Sequence, residues 1–382
     1  MPKVLIAAYH PGALTPVFQE AAVLRLARLA AQMAPQVEVW VFPEILARLK
    51  PGLEKLPKTV RCREVAPEAL TEPEAGSFFP QERLIVLKGH SVWDRRHLKA
   101  ALARISEAAG EIREDWGALL SGSQAGALIK QWLEEGEASP PASPVPILPY
   151  LPEAGDVRAR EAEKRLVAAL AEATRESDGF LSRKVDRPLS RRLSLPLARL
   201  RVNPNWITVA GTCIGLTGAW LLAQAGYVSH LLGAALFLMA VVVDGVDGEV
   251  ARLTLTETEF GHVFDVVTDN LVHIAIFIGL AVGLYRGEND PRHLYALAAL
   301  LGGFGLCALA VYTTIGRPGA PSRDWAPAAA RWVAALNSRD FAYLVMLLAL
   351  ADRLRWFLWG AAVGTYFFAL TLWLLPYVWR RK

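Results

Sequence analysis

Four aspartates stand in a stretch that is otherwise apolar. Asp244 and Asp247 lie near the end of LLGAALFLMAVVVDGVDGEVARL, and Asp265 and Asp269 near the start of GHVFDVVTDNLVHIAIFIGL. The first pair is spaced i,i+3 and the second i,i+4, so on helices each pair occupies a single face. Glu249 points off that face and reads as interfacial. Charges at membrane depth are costly even on lenient insertion scales, so these carboxylates must face a wet cavity or a cation. Four uncompensated anions close together would repel and take up protons. Hard divalent cations with oxygen ligands resolve the conflict. Gly248 and Ala251, with Gly261 on the facing segment, leave room for a ligand against the backbone. Arg252 adds a fixed positive charge suited to a diphosphate.

The elements that position these residues are apolar segments at about 206–227, 229–251, 261–285, 292–315, 340–352 and 354–378. Most approach the roughly 20 residues needed to cross a bilayer's hydrocarbon core. The fifth, around FAYLVMLLALA, is short and needs neighbouring residues to complete a span. The connection 253–260 makes the second and third segments antiparallel neighbours, converging the four carboxylates at one end. Six crossings put both ends of this half on one side. That side receives Arg183, Lys184, Arg187, Arg191, Arg192, Arg199 and Arg201, then Arg252, Arg317, Arg323, Arg331, Arg339, Arg380, Arg381 and Lys382. The other side receives His230, Arg286, Arg292, Arg353 and Arg355. The positive-inside rule therefore places the N- and C-termini in the cytoplasm, in a cytoplasmic-membrane protein. Trp356, Trp359, Trp373 and Trp379 suit interfacial anchoring of the last span.

The sequence Asp244-x2-Asp247-Gly248-x2-Ala251-Arg252-x8-Gly261-x3-Asp265-x3-Asp269 carries the signature of the CDP-alcohol phosphotransferase family, which this chain resembles without substitution. Further stretches are similar to the branch that fuses a cytidylyltransferase-like front domain to a di-inositol-phosphate phosphate synthase. They are Asp178-Gly179-Phe180-Leu181-Ser182-Arg183, Pro204-Asn205 entering the first span, and Arg339-Asp340 entering the fifth. The resemblance covers roughly residues 155–378.

It implies an integral membrane transferase that moves a substituted phosphate from a CDP-alcohol to an acceptor alcohol and releases CMP, in phospholipid or polar-headgroup synthesis. Asp244, Asp247 and Asp265 would be the principal ligands of two Mg2+ (or Mn2+) ions. Asp269 would be the general base and can share a metal. Gly248, Ala251, Arg252 and Gly261 would contact the CDP moiety, joined by Asn205 and Thr208 from the first span. The acceptor can carry phosphate, which wants a basic pocket; Arg317 and Arg339 are the first candidates, Lys184 and Arg187 the next. His273, one turn from Asp269, could assist catalysis or be a polar residue satisfied inside the bundle. The expected partners are the donor, the acceptor, membrane lipid and a second copy in a homodimer. A synthase of a di-inositol-phosphate-type soluble product is the alternative within this class. Outside it stands a divalent-cation transporter with a cytosolic regulatory domain, which needs carboxylates but no nucleotide seat.

The front half is different in kind. Residues 1–200 carry ordinary mixed charge, and the apolar excess behind the chain's 53% hydrophobic content is concentrated after residue 205. KVLIAA (3–8), VEVWVF (37–42), TVRCREV and ERLIVLK read as strands. Helices are expected over 16–33, in PEILARLKPGLEKL and after LKGHSVWD. Such alternation predicts a three-layer α/β domain with a largely parallel sheet. Position and length, with the resemblance, imply a nucleotidyltransferase-like domain over 1–155, then a linker and amphipathic juxtamembrane helices over 156–204, and the all-α six-helix transmembrane domain over 205–382. SPPASPVPILPYLP (139–152) reads as a proline-rich loop. A cytidylyltransferase would carry a glycine-rich basic loop after the first strand. Here that place reads AAYHPGALTP, and His90 stands where a metal-binding aspartate is expected, with Asp94 out of place. The domain reads as degenerate.

The net charge of +4 and the absence of a basic stripe with interleaved aromatics argue against nucleic acid. The basic run before residue 205 suits an anionic lipid surface. Cys62, Cys213 and Cys307 read as small buried residues rather than a disulfide framework. MPKVLIAAYHPG reads as a buried strand rather than a signal peptide.

Overall fold

The computed structural model describes residues 3–9, 11–14, 16–66, 70, 83–89, 91–106, 112–114, 117–121, 124–135, 156–174, 182–313 and 341–379. The His90 reading, the proline-rich stretch, Arg317, Arg339 and most of the 178–183 motif lie outside these residues. Two units divide the chain: Met1–Ala173 with Ala198–Arg201 and Leu253–Leu255, and Thr174–Leu197 with Val202–Arg252 and Thr256–Lys382.

In the first unit, β1 (Lys3–Ala8) is an unbroken apolar run, and Val4 to Ala8 are all at most 1% exposed. Burial on both faces is what a central parallel strand requires. β1 pairs in parallel with β4 (Val37–Val41), Val4 opposite Val37, and with β6 (Arg83–Lys88), Val4 opposite Ile85. β4 pairs in parallel with β5 (Val60–Glu64). Beyond β6 the sheet continues antiparallel through β8 (Gly117–Ser121) to β7 (Ile112–Glu114). The order is therefore β5-β4-β1-β6-β8-β7, parallel except for the closing hairpin.

Alternate residues feed two separate cores. Val4, Ile6, Val39, Val41, Ile85 and Leu87 pack with α1 (Ala22–Ala31), α2 (Pro43–Leu53) and α3 (Arg95–Ser106). Leu5, Ala7, Trp40, Leu84 and Val86 pack with α4 (Ala125–Glu135) through Leu128, Ile129 and Trp132. Helices on both faces of one sheet make three layers, as expected. A long helix α5 (Asp156–Thr174) follows. Its buried Glu163 accepts from the Phe18 amide at 3.0 Å and from Arg199 Nε at 2.7 Å.

Two expectations are corrected here. The helix expected from residue 16 starts at Ala22, because Pro16–Val17 (β2) and Glu20–Ala21 (β3) form a small hairpin. Its turn residues Phe18 and Gln19 have φ of 50° and 59°, the doubly left-handed conformation of a tight hairpin turn. Cys62 and Cys213 are exposed and Cys307 is half-buried, so none of the three is the buried residue expected. Cys62 lies on the edge strand β5, where Arg61 to Glu64 are all exposed.

The second unit is helical. A π-turn (Ser182–Asp186) leads into α6 (Arg187–Arg199). Then come α7 (Pro204–Leu222), α8 (Tyr227–Thr254), α9 (Glu259–Glu288), α10 (Arg292–Val311), α11 (Phe341–Leu350) and α12 (Leu354–Trp379). Among the described residues five of these helices, α7 to α10 and α12, are long and apolar enough to cross a membrane. α11, at 10 residues, would rise about 15 Å, half a hydrocarbon core. Large apolar side chains such as Leu271, Val267, Phe367 and Trp356 are exposed on the outer surface, as lipid contact requires.

α9 packs along α7, and α10 along α12. The α7–α9 approach depends on small residues. A methyl group at Gly279 would lie 2.2 Å from Ala219 O, and one at Gly283 would lie 1.9 Å from Leu222 O. Such spacing of small residues is how membrane helices bring backbones together. The core beneath is built on Phe237, Ile276, Phe277, Leu280, Leu300 and Phe357, with Phe277 and Phe357 stacked at 5.9 Å.

Candidate active site

The N-terminal ends of α7 and α9 and the C-terminal end of α8 meet around a cavity of about 210 Å³. Asn203 caps α7, its side chain accepting from the Asn205 amide at 3.0 Å, with Pro204 at the first helical position. Thr258 caps α9, accepting from the Gly261 amide at 3.0 Å. Two helix starts therefore face the cavity, a favourable field for phosphate.

Every residue expected to contact CDP lines this space: Asn205, Thr208, Gly248, Ala251, Arg252 and Gly261, together with Asp247 and Asp265. At two of the small residues an added methyl group would be a tight fit. A methyl group at Gly248 would lie 3.2 Å from both terminal nitrogens of Arg252, so the glycine lets this guanidinium fold back against α8. At Gly261 it would lie 3.0 Å from Thr258 Oγ1 and 3.3 Å from Asn205 Oδ1. Pro204 lines it too, and so do Thr256, Glu257, Thr258 and His262, which the motif did not indicate. Thr258 was accessible as a helix cap three residues before Gly261.

The four aspartates are arranged in two cross-helix pairs. Asp247 and Asp265 line the larger cavity. Asp244 and Asp269 line a smaller one of about 20 Å³, room for one water, with Thr208, Thr212, Thr268 and His273. Asp247, 4% exposed, accepts from Thr208 Oγ1 and from the Gly248 amide. Among the described residues no three acidic, histidine or cysteine side chains are drawn together around one point. The donor set is nonetheless all carboxylate and hydroxyl oxygen, the chemistry that Mg2+ or Mn2+ takes.

His273 Nδ1 is 3.9 Å from Asp269 Oδ1, and its ring is 5.9 Å from that of Phe237 and 5.3 Å from that of Phe341. Glu249 is not interfacial. It is 2% exposed, bound by Arg187 Nη1 at 3.0 Å, Ser190 Oγ at 2.9 Å and Ser194 Oγ at 2.6 Å. α6 covers that side of α8 and supplies these donors, which periodicity within α8 could not reveal. Asp186, the last residue of the π-turn before α6, accepts from Tyr343 Oη of α11. Of the four acceptor candidates, Lys184 is exposed and Arg187 is committed to Glu249.

Residues 201–375 match the sequence profile of the family described as CDP-alcohol phosphatidyltransferase. A bifunctional IPC transferase and DIPP synthase of Archaeoglobus fulgidus is 32% identical over 126 residues, 33% of this chain and 24% of that protein. A CDP-diacylglycerol–serine O-phosphatidyltransferase of Helicobacter pylori is 31% identical, over 30% of this chain and 47% of that one. The crystal structure of a Mycobacterium tuberculosis phosphatidylinositol phosphate synthase with CDP-DAG bound is 25% identical, covering 50% of this chain and 94% of that chain, with a TM-score of 0.33. The matched stretch thus spans about a quarter to a half of these curated relatives' own length. Residues 201–375 thus resemble a CDP-alcohol phosphatidyltransferase domain, and the chain is an integral membrane protein.

Proposed function

We propose that the protein transfers a substituted phosphate from a CDP-alcohol to an acceptor alcohol and releases CMP. The observation that carries this reading is the joint lining of one cavity by Asn205, Thr208, Asp247, Gly248, Ala251, Arg252, Gly261 and Asp265. Arg252 and the two helix starts would hold the diphosphate, and the glycines would let it approach backbone. Asp244, Asp247, Asp265 and Asp269 would hold two Mg2+ or Mn2+ ions, which when bound neutralise the diphosphate and stabilise charge on the entering and departing oxygens. Thr208 orients Asp247. Asp269, beside the smaller cavity, would take the proton of the acceptor hydroxyl. The distal phosphorus would then be displaced from the CMP oxygen.

Six crossings, with α11 extended by its neighbours, would put both termini in the cytoplasm, in keeping with the basic residues before Pro204 and after α12. The front domain would be nucleotidyltransferase-like and degenerate, and the assembly a homodimer. The relatives' names include inositol-phosphate and serine acceptors, so the first panel should pair CDP-diacylglycerol with myo-inositol phosphate, glycerol phosphate and serine. Metal-dependent CMP release in at least one pairing is expected. Absence of CMP release, together with no metal-dependent thermal stabilisation by CDP, would sink the reading.

A further inference from the structure

The larger cavity is lined by Ala251 and Arg252 and then again by Thr256, Glu257 and Thr258. The three residues between them, Leu253 to Leu255, belong to the first unit. They are 3%, 5% and 8% exposed. α8 ends in this stretch. The Thr256 amide donates to Ala251 O at 2.9 Å, the closing bond of a Schellman turn. Such a turn needs a left-handed residue one place before its last, which glycine usually supplies. Here that residue is Leu255, with φ of 56°. A leucine is disfavoured in this conformation and persists only where its surroundings hold it. Its side chain joins the apolar core that β1, β4, β6 and α1 form in the first unit.

The last turn of α8 is held as well. Arg25 of α1 is 4% exposed, and its Nη1 donates to Leu253 O, one of the carbonyls a helix end leaves open. Glu20, which acts on Arg25 through its charge, is itself paired with Arg28 at 2.9 Å and Arg201 at 3.5 Å. Arg25 Nε is buried without a partner. Burial pushes the Arg25 guanidinium down to about 10. A buried cation set on a neutral carbonyl is a costly way to fill a core, so its value lies in the carbonyl it holds.

We propose that Arg25 and Leu255 are positioning residues through which the first unit fixes the end of α8, so that Arg252, Thr256 and Thr258 stand where the CDP-alcohol binds. That role rests on the nucleotide reading of the cavity. It gives the front unit a part in the reaction that needs no cytidylyl transfer.

The test measures CDP affinity with Mg2+ and melting temperature on the full-length protein in detergent. Arg25→Met fills the same space without the donor, and Leu255→Gly suits the left-handed turn without the anchor. Each should bind CDP about three- to tenfold more weakly, the net worth of roughly one hydrogen bond. Arg25→Lys keeps a charged donor and should recover most of the affinity. Arg28→Gln breaks an ion pair of the same unit and should leave CDP affinity at the wild-type value, whatever it does to the melting temperature. Wild-type CDP affinity in Arg25→Met would reduce the contact to a fastening and overturn the proposal. If that variant does not fold, the same affinity in Leu255→Gly does so. An equal loss of affinity in Arg28→Gln would trace the effect to the stability of the whole unit and overturn it too. Failure of the wild-type protein itself to bind CDP with Mg2+ would instead overturn the nucleotide reading, and this inference with it.

Discussion

Thr208 on α7 donates to the Asp247 carboxylate on α8, and both side chains are more than nine-tenths buried. The bond joins the helix that opens the cavity to the helix that carries the first two aspartates, and it sets the direction in which Asp247 points. Thr208→Val keeps the shape of the side chain and removes the donor. A buried carboxylate oxygen left without it should cost about 1–3 kcal/mol of stability. CMP release should fall by a larger factor than the melting temperature alone would explain. Thr208→Ser, which keeps the hydroxyl, should recover most of the rate. Equal rates for the valine and serine variants would mean that the hydroxyl does not orient Asp247.

Gly248→Ala separates binding from folding. Alanine in mid-helix is worth up to about 1 kcal/mol over glycine, so the variant should melt at or above the wild-type temperature. Its methyl group would lie 3.2 Å from the Arg252 guanidinium, which must give slightly to make room. Metal-dependent CDP affinity should drop about tenfold, the loss of roughly one charge-assisted contact. Unchanged CDP affinity would show that the fit of the Arg252 guanidinium against Gly248 does not set nucleotide binding.

Spacing alone puts the motif residues on helix faces, because i,i+3 and i,i+4 positions fix a face whatever the tertiary packing. The alternating front half was legible for the same reason: β1 is so uniformly apolar that only a doubly covered parallel strand fits it. What spacing could not supply was the neighbour across each face. Asp244 and Asp247 lie on one helical face, yet they open into different cavities, because Thr208 of α7 stands between them and reaches Asp247. Glu249 read as interfacial since nothing in α8 announces that α6 covers it with Arg187, Ser190 and Ser194. The Pro16–Ala21 hairpin was missed because its left-handed turn residues are Phe18 and Gln19, neither of which signals a turn.

Gly283→Val tests the α7–α9 approach. The added side chain would begin 1.9 Å from Leu222 O, a backbone atom that cannot move without separating the helices. Overpacking of this kind costs about 1–3 kcal/mol or more. The variant should show a lowered melting temperature in detergent and reduced recovery as folded protein. A wild-type melting profile would show that the two helices can part at little cost.

The front unit is expected to make no CDP-alcohol. Pro11–Leu14 form a short 3-10 turn where a glycine-rich phosphate loop would stand. Asp94 is occupied as the cap of α3, accepting from the amides of Arg96 and His97 at 2.9 and 3.3 Å. Full-length protein supplied with CTP, Mg2+ and an alcohol phosphate should release no pyrophosphate above background. Release at turnover rates would make the unit a working cytidylyltransferase.

Asp265 and Asp269 are one helical turn apart and line different cavities, so their amide variants should fail differently. Asp265 faces the space lined by Arg252 and Gly261. Asp265→Asn should lose metal-dependent CDP binding and CMP release together, by orders of magnitude in rate. Asp269 faces the one-water cavity beside His273, where Thr208 is the one expected CDP contact in the lining. Asp269→Asn should keep CDP affinity within a few-fold while single-turnover CMP release falls by about 10²–10⁴, the usual contribution of a positioned base. His273→Asn would then slow turnover only if the imidazole, 3.9 Å from Asp269 Oδ1, helps to hold that carboxylate in place. Parallel loss of CDP binding and turnover in Asp269→Asn would make Asp269 a metal ligand first, and the proton would have to leave through another group lining the same cavity.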